Sequence, residues 1–259
     1  MKLGISSGCW YPSLTEDSVV KIKDAGFSAA EIFLCDESET EPLYLKRLKD
    51  ELDKNEISVI SVHPFTSFAE QFVFFSGYKR REESAYKFYR KYHDACHLLG
   101  AEIINFHGAT SYVEPERYAE VYGRLFHEAK EEGLIFCQEN VRKFCSGKVS
   151  FLSELKRILE GNIAFTLDVK QALMEGEALS EMIKVMGEDI RLVHVSDSTE
   201  SAPCLLPGFG NFDLERFCKE LKCVDYDGYL ITEVYSQNYQ NESDVNKSQK
   251  YFSNILNKI

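Results

Sequence analysis

The chain alternates short, densely apolar runs with longer segments in which apolar residues recur every three or four positions. The short runs read as strands: Leu3–Ser7, Ala29–Leu34, Ile57–His63, Glu102–His107, Leu134–Glu139, Ile163–Asp168, Arg191–Ser196 and Tyr229–Val234. Some are continuously apolar, as in Ile57-Ser58-Val59-Ile60 and Leu134-Ile135-Phe136-Cys137, the pattern of strands covered by helices on both faces. A helical stretch follows each strand. From Pro115 to Glu132, Tyr118, Val121, Tyr122, Leu125, Phe126 and Ala129 form one apolar face, with Pro115 suited to the first helical position and Gly133 to the stop. Ala85, Phe88, Tyr89, Tyr92, Ala95 and Leu99 give another helix its stripe, ended by Gly100. Ser13-Leu14-Thr15-Glu16 has the form of a capping box opening the first helix.

Eight β-α units without an interrupting linker, in 259 residues, predict a (β/α)8 TIM barrel, a single domain over residues 1–259. A doubly wound sheet is the alternative, but the dinucleotide fingerprint is missing. Gly208-Phe209-Gly210 has no third glycine and no strand immediately before it. The longest insertion follows the third strand and carries Phe65, Phe68, Phe72, Phe74, Phe75 and Tyr78. It reads as a lid over a pocket or as a surface for a second copy of the chain, which makes a homo-oligomer one partner to consider; loops on that face of a barrel favour the pocket.

Composition narrows the partners. With 44% hydrophobic and 28% charged residues the chain is an ordinary folded protein. Its 30 Lys and Arg against 42 Asp and Glu leave a charge of −12, and no local basic patch offsets it, so no nucleic-acid partner is expected. No apolar run approaches the ~18 residues of a membrane span, and the first residues lack a signal-peptide pattern, so no membrane association is expected. The eight cysteines are scattered without a C-x-x-C pair, and Cys35, Cys96, Cys137 and Cys218 sit in apolar runs. They read as reduced thiols of a cytoplasmic protein.

In a barrel the reactive groups project from the carboxyl ends of the strands. Those ends carry His63, His107, Glu139, Asp168, His194 and Glu233. One histidine or glutamate ending a strand is ordinary; six in register with the repeat are not. Carboxylates converging from the last four strands repel one another unless a cation sits between them, and a divalent metal is the simplest such cation. His93-Asp94-Ala95-Cys96-His97 has the spacing of a zinc-protease helix, but with Asp where that chemistry uses Glu and on an outer helix. It reads as a solvated helix face.

Ile190-Arg191-Leu192-Val193-His194-Val195-Ser196-Asp197 resembles the seventh strand of the xylose isomerase-like TIM barrels, a superfamily of sugar isomerases, ketose epimerases, related dehydratases and endonuclease IV repair enzymes. Asn105-Phe106-His107-Gly108, Gln138-Glu139-Asn140, Thr166-Leu167-Asp168, Pro207-Gly208-Phe209-Gly210-Asn211-Phe212-Asp213 and Ile231-Thr232-Glu233 are similar in the same order. The resemblance implies that Glu139, Asp168, His194 and Glu233 bind one divalent ion, Mn²⁺, Mg²⁺ or Co²⁺, with Zn²⁺ as a further option. It implies proton abstraction beside the carbonyl of a sugar or polyol, free or phosphorylated, by Glu139 or Glu233, and return by the other, through an enediolate stabilised by the metal. His63 and His107 would orient the substrate, Glu31 would orient one of these two histidines, Gln171 would bind a hydroxyl, and Trp10 would stack on a sugar face.

The chain also departs from the pattern. Gln171 replaces the histidine that many members place three residues after the strand-six aspartate, and Pro203–Gly208 lacks the further ligands of the repair enzymes. Cys145 and Glu200 stand where ketose 3-epimerases use Glu and Arg. These departures leave two alternatives to a sugar isomerase or epimerase: a barrel that binds a polyol without turnover, and an inositol-type dehydratase using the same metal and bases. A DNA-cleaving member ranks lowest.

Overall fold

The computed structural model describes all residues from Met1 to Ile259. Eight parallel strands close into a barrel in sequence order. They are β1 Lys2–Ser6, β2 Ala29–Phe33, β3 Ser58–His63, β4 Ile103–Phe106, β5 Ile135–Glu139, β6 Phe165–Asp168, β7 Ile190–Val195 and β8 Tyr229–Thr232. Ten helices surround them: α1 Thr15–Asp24, α2 Pro42–Lys54, α3 Glu70–Phe74, α4 Lys79–Leu99, α5 Pro115–Glu131, α6 Val149–Leu159, α7 Val169–Glu175, α8 Leu179–Met186, α9 Leu214–Lys222 and α10 Glu242–Leu256. The predicted strands fall within two residues of these bounds, and the (β/α)8 architecture holds. No helix is long and apolar enough to cross a membrane.

The main core lies between the sheet and the helices, 61 buried residues in contact. A second, smaller cluster of Ile103, Cys137, Ala164, Leu192 and Ile231 fills the barrel itself. Two register shifts interrupt the ladder, between Ala30 and Glu31 against β3 and between Phe165 and Thr166 against β7. Such irregularities re-aim side chains; the first brings Ser61 opposite Glu31.

Two local expectations need correcting. Helix α1 begins at Thr15 after Leu14, with no side-chain cap, so Ser13 does not form the capping box; that motif occurs instead at α10, between Asn241 and Asp244. His93 is buried rather than solvated. It sits on the inward side of α4 with Nδ1 3.2 Å from Glu132 Oε1, while His97, four residues on, is exposed.

The aromatic insertion is part core and part surface. Phe74 is fully buried against Tyr86, Tyr89 and Phe106, and Phe75 stacks on Tyr118 at 5.0 Å. Phe68, Phe72 and Tyr78 face outward.

Candidate active site

Strand periodicity decides what reaches the barrel mouth. Residues two apart on a strand share a face, so Ile103, Asn105 and His107 form one interior column. Cys137 with Glu139, Thr166 with Asp168, Leu192 with His194, Ile231 with Glu233, and Ser61 with His63 form others. The lower members of four columns are the apolar plug. Above it lies a polar layer, and above that the six chemically active side chains, four of them buried and His107 and Glu233 nearly so.

The polar layer is organised by Glu31, which is fully buried on β2. Its Oε2 accepts from Ser61 Oγ at 2.8 Å and Asn105 Nδ2 at 2.6 Å, and lies 3.0 Å from His194 Nε2. Asn105 Oδ1 in turn accepts from Thr166 Oγ1 at 2.5 Å. With Nε2 engaged by Glu31, His194 turns Nδ1 toward the acids, 3.5 Å from Glu139 Oε1, 3.8 Å from Glu233 Oε2 and 3.9 Å from Asp168 Oδ2. A carboxylate behind an imidazole is the usual means of fixing a metal-ligating histidine. Glu31 therefore orients His194, not His63 or His107 as the sequence suggested: on β2 its carboxylate lies beneath the β7 histidine.

Crowding sets the protonation states. Burial pushes Glu139 up, but the imidazoles of His107 and His194 outweigh it and hold the carboxyl well below the usual range. Burial likewise opposes ionisation of Glu233, while Lys170 and His194 bring it down to about 2. Asp168 goes the other way, to about 7. Burial dominates there, Lys170 relieves it only in part, and Glu233 and Glu139 add repulsion. Burial disfavours a charged His194 ring, yet Glu31, Glu233 and Glu139 hold it well above the usual histidine range. Three acids of similar placement are thus split, because the third cannot ionise without more positive charge nearby.

The donor set fits a divalent ion. One ligand atom from each of Glu139, Asp168, His194 and Glu233 lies within 4.8 Å of all the others. Glu139 Oε2, Asp168 Oδ2 and His194 Nδ1 are buried without a hydrogen-bond partner, which is costly for polar atoms. Three carboxylates and one imidazole suit Mn²⁺, Mg²⁺ or Co²⁺, and admit Zn²⁺.

His63 and His107 sit beside the same cluster. With Glu139 they form a second set whose ligand atoms lie within 4.8 Å of one another. Their Nε2 atoms are 3.1 Å apart, and His107 Nε2 is 3.2 Å from Glu139 Oε2. His63 stacks on Phe33 at 4.6 Å. Gln171 is partly committed elsewhere: its Oε1 accepts from the Arg142 backbone N–H at 3.1 Å, while its own N–H donates to Asp168 Oδ1 at 2.7 Å. Trp10 is buried in the turn after β1, and its indole N–H has no partner.

Two functional candidates escaped the sequence reading. Lys170, in the first turn of α7, is buried with Nζ 3.0 Å from Glu233 Oε2 and 3.6 Å from Asp168 Oδ2. Its signal was the spacing, two residues past a strand-end aspartate, in a turn that folds over the mouth. Glu70, in the aromatic insertion, accepts from the His107 N–H at 2.9 Å, from the Gly108 N–H and from Tyr89 Oη at 2.6 Å. Burial pushes its carboxyl up to about 8. Gly108 has φ +89°, and a Cβ there would lie 1.7 Å from Tyr118 Oη, so only glycine lets β4 end against Glu70. The loop after β7 is shaped similarly by Asp197, whose carboxylate accepts from the N–H groups of Ser198, Gly208, Gly210 and Phe212.

A closed eight-stranded barrel with acids and histidines from consecutive strands at its mouth belongs to a definable class, and comparison identifies it. The family described as "Xylose isomerase-like TIM barrel" matches residues 19–255, and the chain belongs to that family. No curated protein matches it by sequence. Among solved structures it is similar to a D-tagatose 3-epimerase-like protein, at 22% identity and TM-score 0.79, covering 100% of this chain and 99% of that one. It is also similar to a D-psicose 3-epimerase with D-tagatose from Clostridium cellulolyticum H10 (18%, TM-score 0.79, 99% of each chain). A 3-keto-D-glucoside 4-epimerase from E. coli aligns with TM-score 0.77 and 15% identity over 98% of this chain and 99% of that one. At these identities the likeness establishes the fold.

Proposed function

We propose that this protein is a divalent-metal-dependent isomerase or epimerase of a sugar or polyol, working in the cytoplasm. The observation that carries the reading is the four-ligand cluster, in which Asp168 Oδ2 and His194 Nδ1 are buried, unpartnered and 3.9 Å apart. The names of the similar structures, all sugar epimerases or epimerase-like, point the same way, and eight free thiols suit a reducing compartment.

The bound ion would supply Lewis-acid charge to the substrate's oxygens, making the neighbouring C–H more acidic. Glu139 and Glu233 enter from β5 and β8, with carboxyls held ionised near neutral pH; one removes the proton and the other returns it. Bases this weak suffice only where the carbon acid is itself activated. His107, beside Glu139, donates to a substrate oxygen or to that carboxylate, and His63 supports it from 3.1 Å. Trp10 offers its free indole N–H to a hydroxyl.

A second reading, a barrel that binds a polyol without turnover, is favoured by the positions that depart from the superfamily pattern. Gln171 is tied to Arg142, and Cys145 Sγ donates to the Ser111 carbonyl at 3.0 Å. Deuterium wash-in from D2O separates the two. With Mn²⁺ present, free and phosphorylated keto sugars are offered to the wild type and to Glu233→Gln. Exchange beside the carbonyl in the wild type alone supports catalysis. Silence across the panel, with binding retained, favours the binder.

A further inference from the structure

Around the mouth and just beneath it lie four buried or nearly buried acids, Glu31, Glu139, Asp168 and Glu233. One lysine reaches two of them, Asp168 and Glu233. Lys170 has its side chain only 4% exposed, which removes it from the class of solvated surface pairs whose worth is small. It is also poorly satisfied for a structural peg: of three N–H donors, one makes a hydrogen bond, to Glu233 Oε2, and the ammonium otherwise rests 4.9 Å from the Tyr235 ring centroid.

The atoms it faces matter most. Glu233 Oε2, 3.0 Å from Lys170 Nζ, also faces His194 Nδ1 at 3.8 Å. Asp168 Oδ2, 3.6 Å from Nζ, faces the same Nδ1 at 3.9 Å. Both oxygens that turn toward the metal-ligating histidine from β6 and β8 therefore also face the ammonium. On the other side of the cluster, Glu139 has His107 and His63 instead. An entering cation meets a fixed positive charge beside two of its four donors.

We propose that Lys170 is the resident counter-cation of the acid cluster, setting how tightly the four-ligand set holds a divalent ion and keeping the cluster folded without one. The inference rests on the metal-binding reading above. A unit charge a few ångströms from a partly dehydrated site opposes a second cation strongly, and it relieves the repulsion among acids that would otherwise stand alone. The protein gains a stable metal-free state at the expense of affinity.

The test is calorimetric titration of Mn²⁺ into the chelator-stripped 259-residue chain as wild type, Lys170→Met, Lys170→Gln and Lys170→Arg. The two neutral variants should bind Mn²⁺ at least about tenfold more tightly, and the arginine variant within about threefold of wild type. Lys170→Gln keeps a donor for Glu233, so it separates charge from hydrogen bonding. In chelator both neutral variants should melt below wild type, with the gap closing when Mn²⁺ is added; variants that fold only with Mn²⁺ also support the proposal. Unchanged or weaker Mn²⁺ binding by folded neutral variants overturns it, as does misfolding with and without the ion. If the wild type takes up no Mn²⁺, the metal reading itself fails. Uptake by the wild type without the affinity gain sinks the Lys170 inference alone.

Discussion

The two ends of the barrel hold similar charged pairs in opposite surroundings. At the lower rim, Lys23 meets Glu56 at 2.8 Å and the Met1 amine meets Asp227, with the acids 84% and 85% exposed. At the mouth, Glu31, Glu139, Asp168 and His194 are each no more than 2% exposed. Water screens the rim pairs and makes them dispensable. The mouth has no such screening, so gathering acids there works against folding unless a further cation repays it. Buried, mutually perturbed groups in one place mark function more reliably than ion pairs counted over a surface.

The comparison breaks most sharply at Asp168. Its carboxyl is pushed up to about 7, so above that pH its ionised form is a burden on the metal-free fold. Asp168→Asn keeps the oxygen that caps α7 through the Gln171 N–H and removes the charge. Mn²⁺ affinity should fall by at least about a hundredfold, while the metal-free protein at pH 8 melts at a higher temperature than wild type. Calorimetry with and without chelator reads both. A drop in both quantities would make Asp168 an ordinary structural residue.

Glu31→Gln tests the layer beneath. Losing the carboxylate behind His194 should weaken Mn²⁺ binding by roughly 10- to 100-fold, the usual cost of removing a ligand's support, with far-ultraviolet circular dichroism unchanged. An affinity equal to wild type would show that His194 is held by packing alone.

Glu70 sharpens the contrast through pH. Its folded carboxyl is raised from 4.5 to about 8 by burial, so the folded state holds a proton that the unfolded chain releases. The associated stability is fully present below about pH 4.5 and is lost as pH rises through about 8, several kcal/mol in all. In Glu70→Gln, whose amide can still meet Tyr89, urea denaturation from pH 5 to 9 should lose this part of the slope. Parallel pH profiles for the two proteins would contradict the assignment. At the other extreme, Glu56→Gln at the rim should leave the melting temperature unchanged within error, and a clear drop would undo the distinction between the two ends.

Much of this was legible in the sequence because a (β/α)8 barrel translates sequence directly into position. Strand ends point to one rim, so reading His63, His107, Glu139, Asp168, His194 and Glu233 in register was enough to gather them. Period-two alternation would also have extended the reading downward to Ser61, Asn105 and Thr166, which share columns with those residues. Lys170 and Glu70 were harder. Neither ends a strand, and their roles depend on how a helix turn and an insertion fold back over the mouth, a tertiary fact with only a faint local signal. The capping box at Ser13 failed for a related reason: the pattern fits, but the chain enters α1 from a turn in which Ser13 Oγ accepts from Lys21 Nζ at 3.4 Å instead of capping the helix.

Metal analysis of the wild type and Asp168→Asn, both purified without chelator and then equilibrated with Mn²⁺, tests the central claim most directly. The account predicts one divalent ion per wild-type chain and a largely empty variant. Ion-free protein in both cases at saturating Mn²⁺, or equal occupancy in the two, would contradict it.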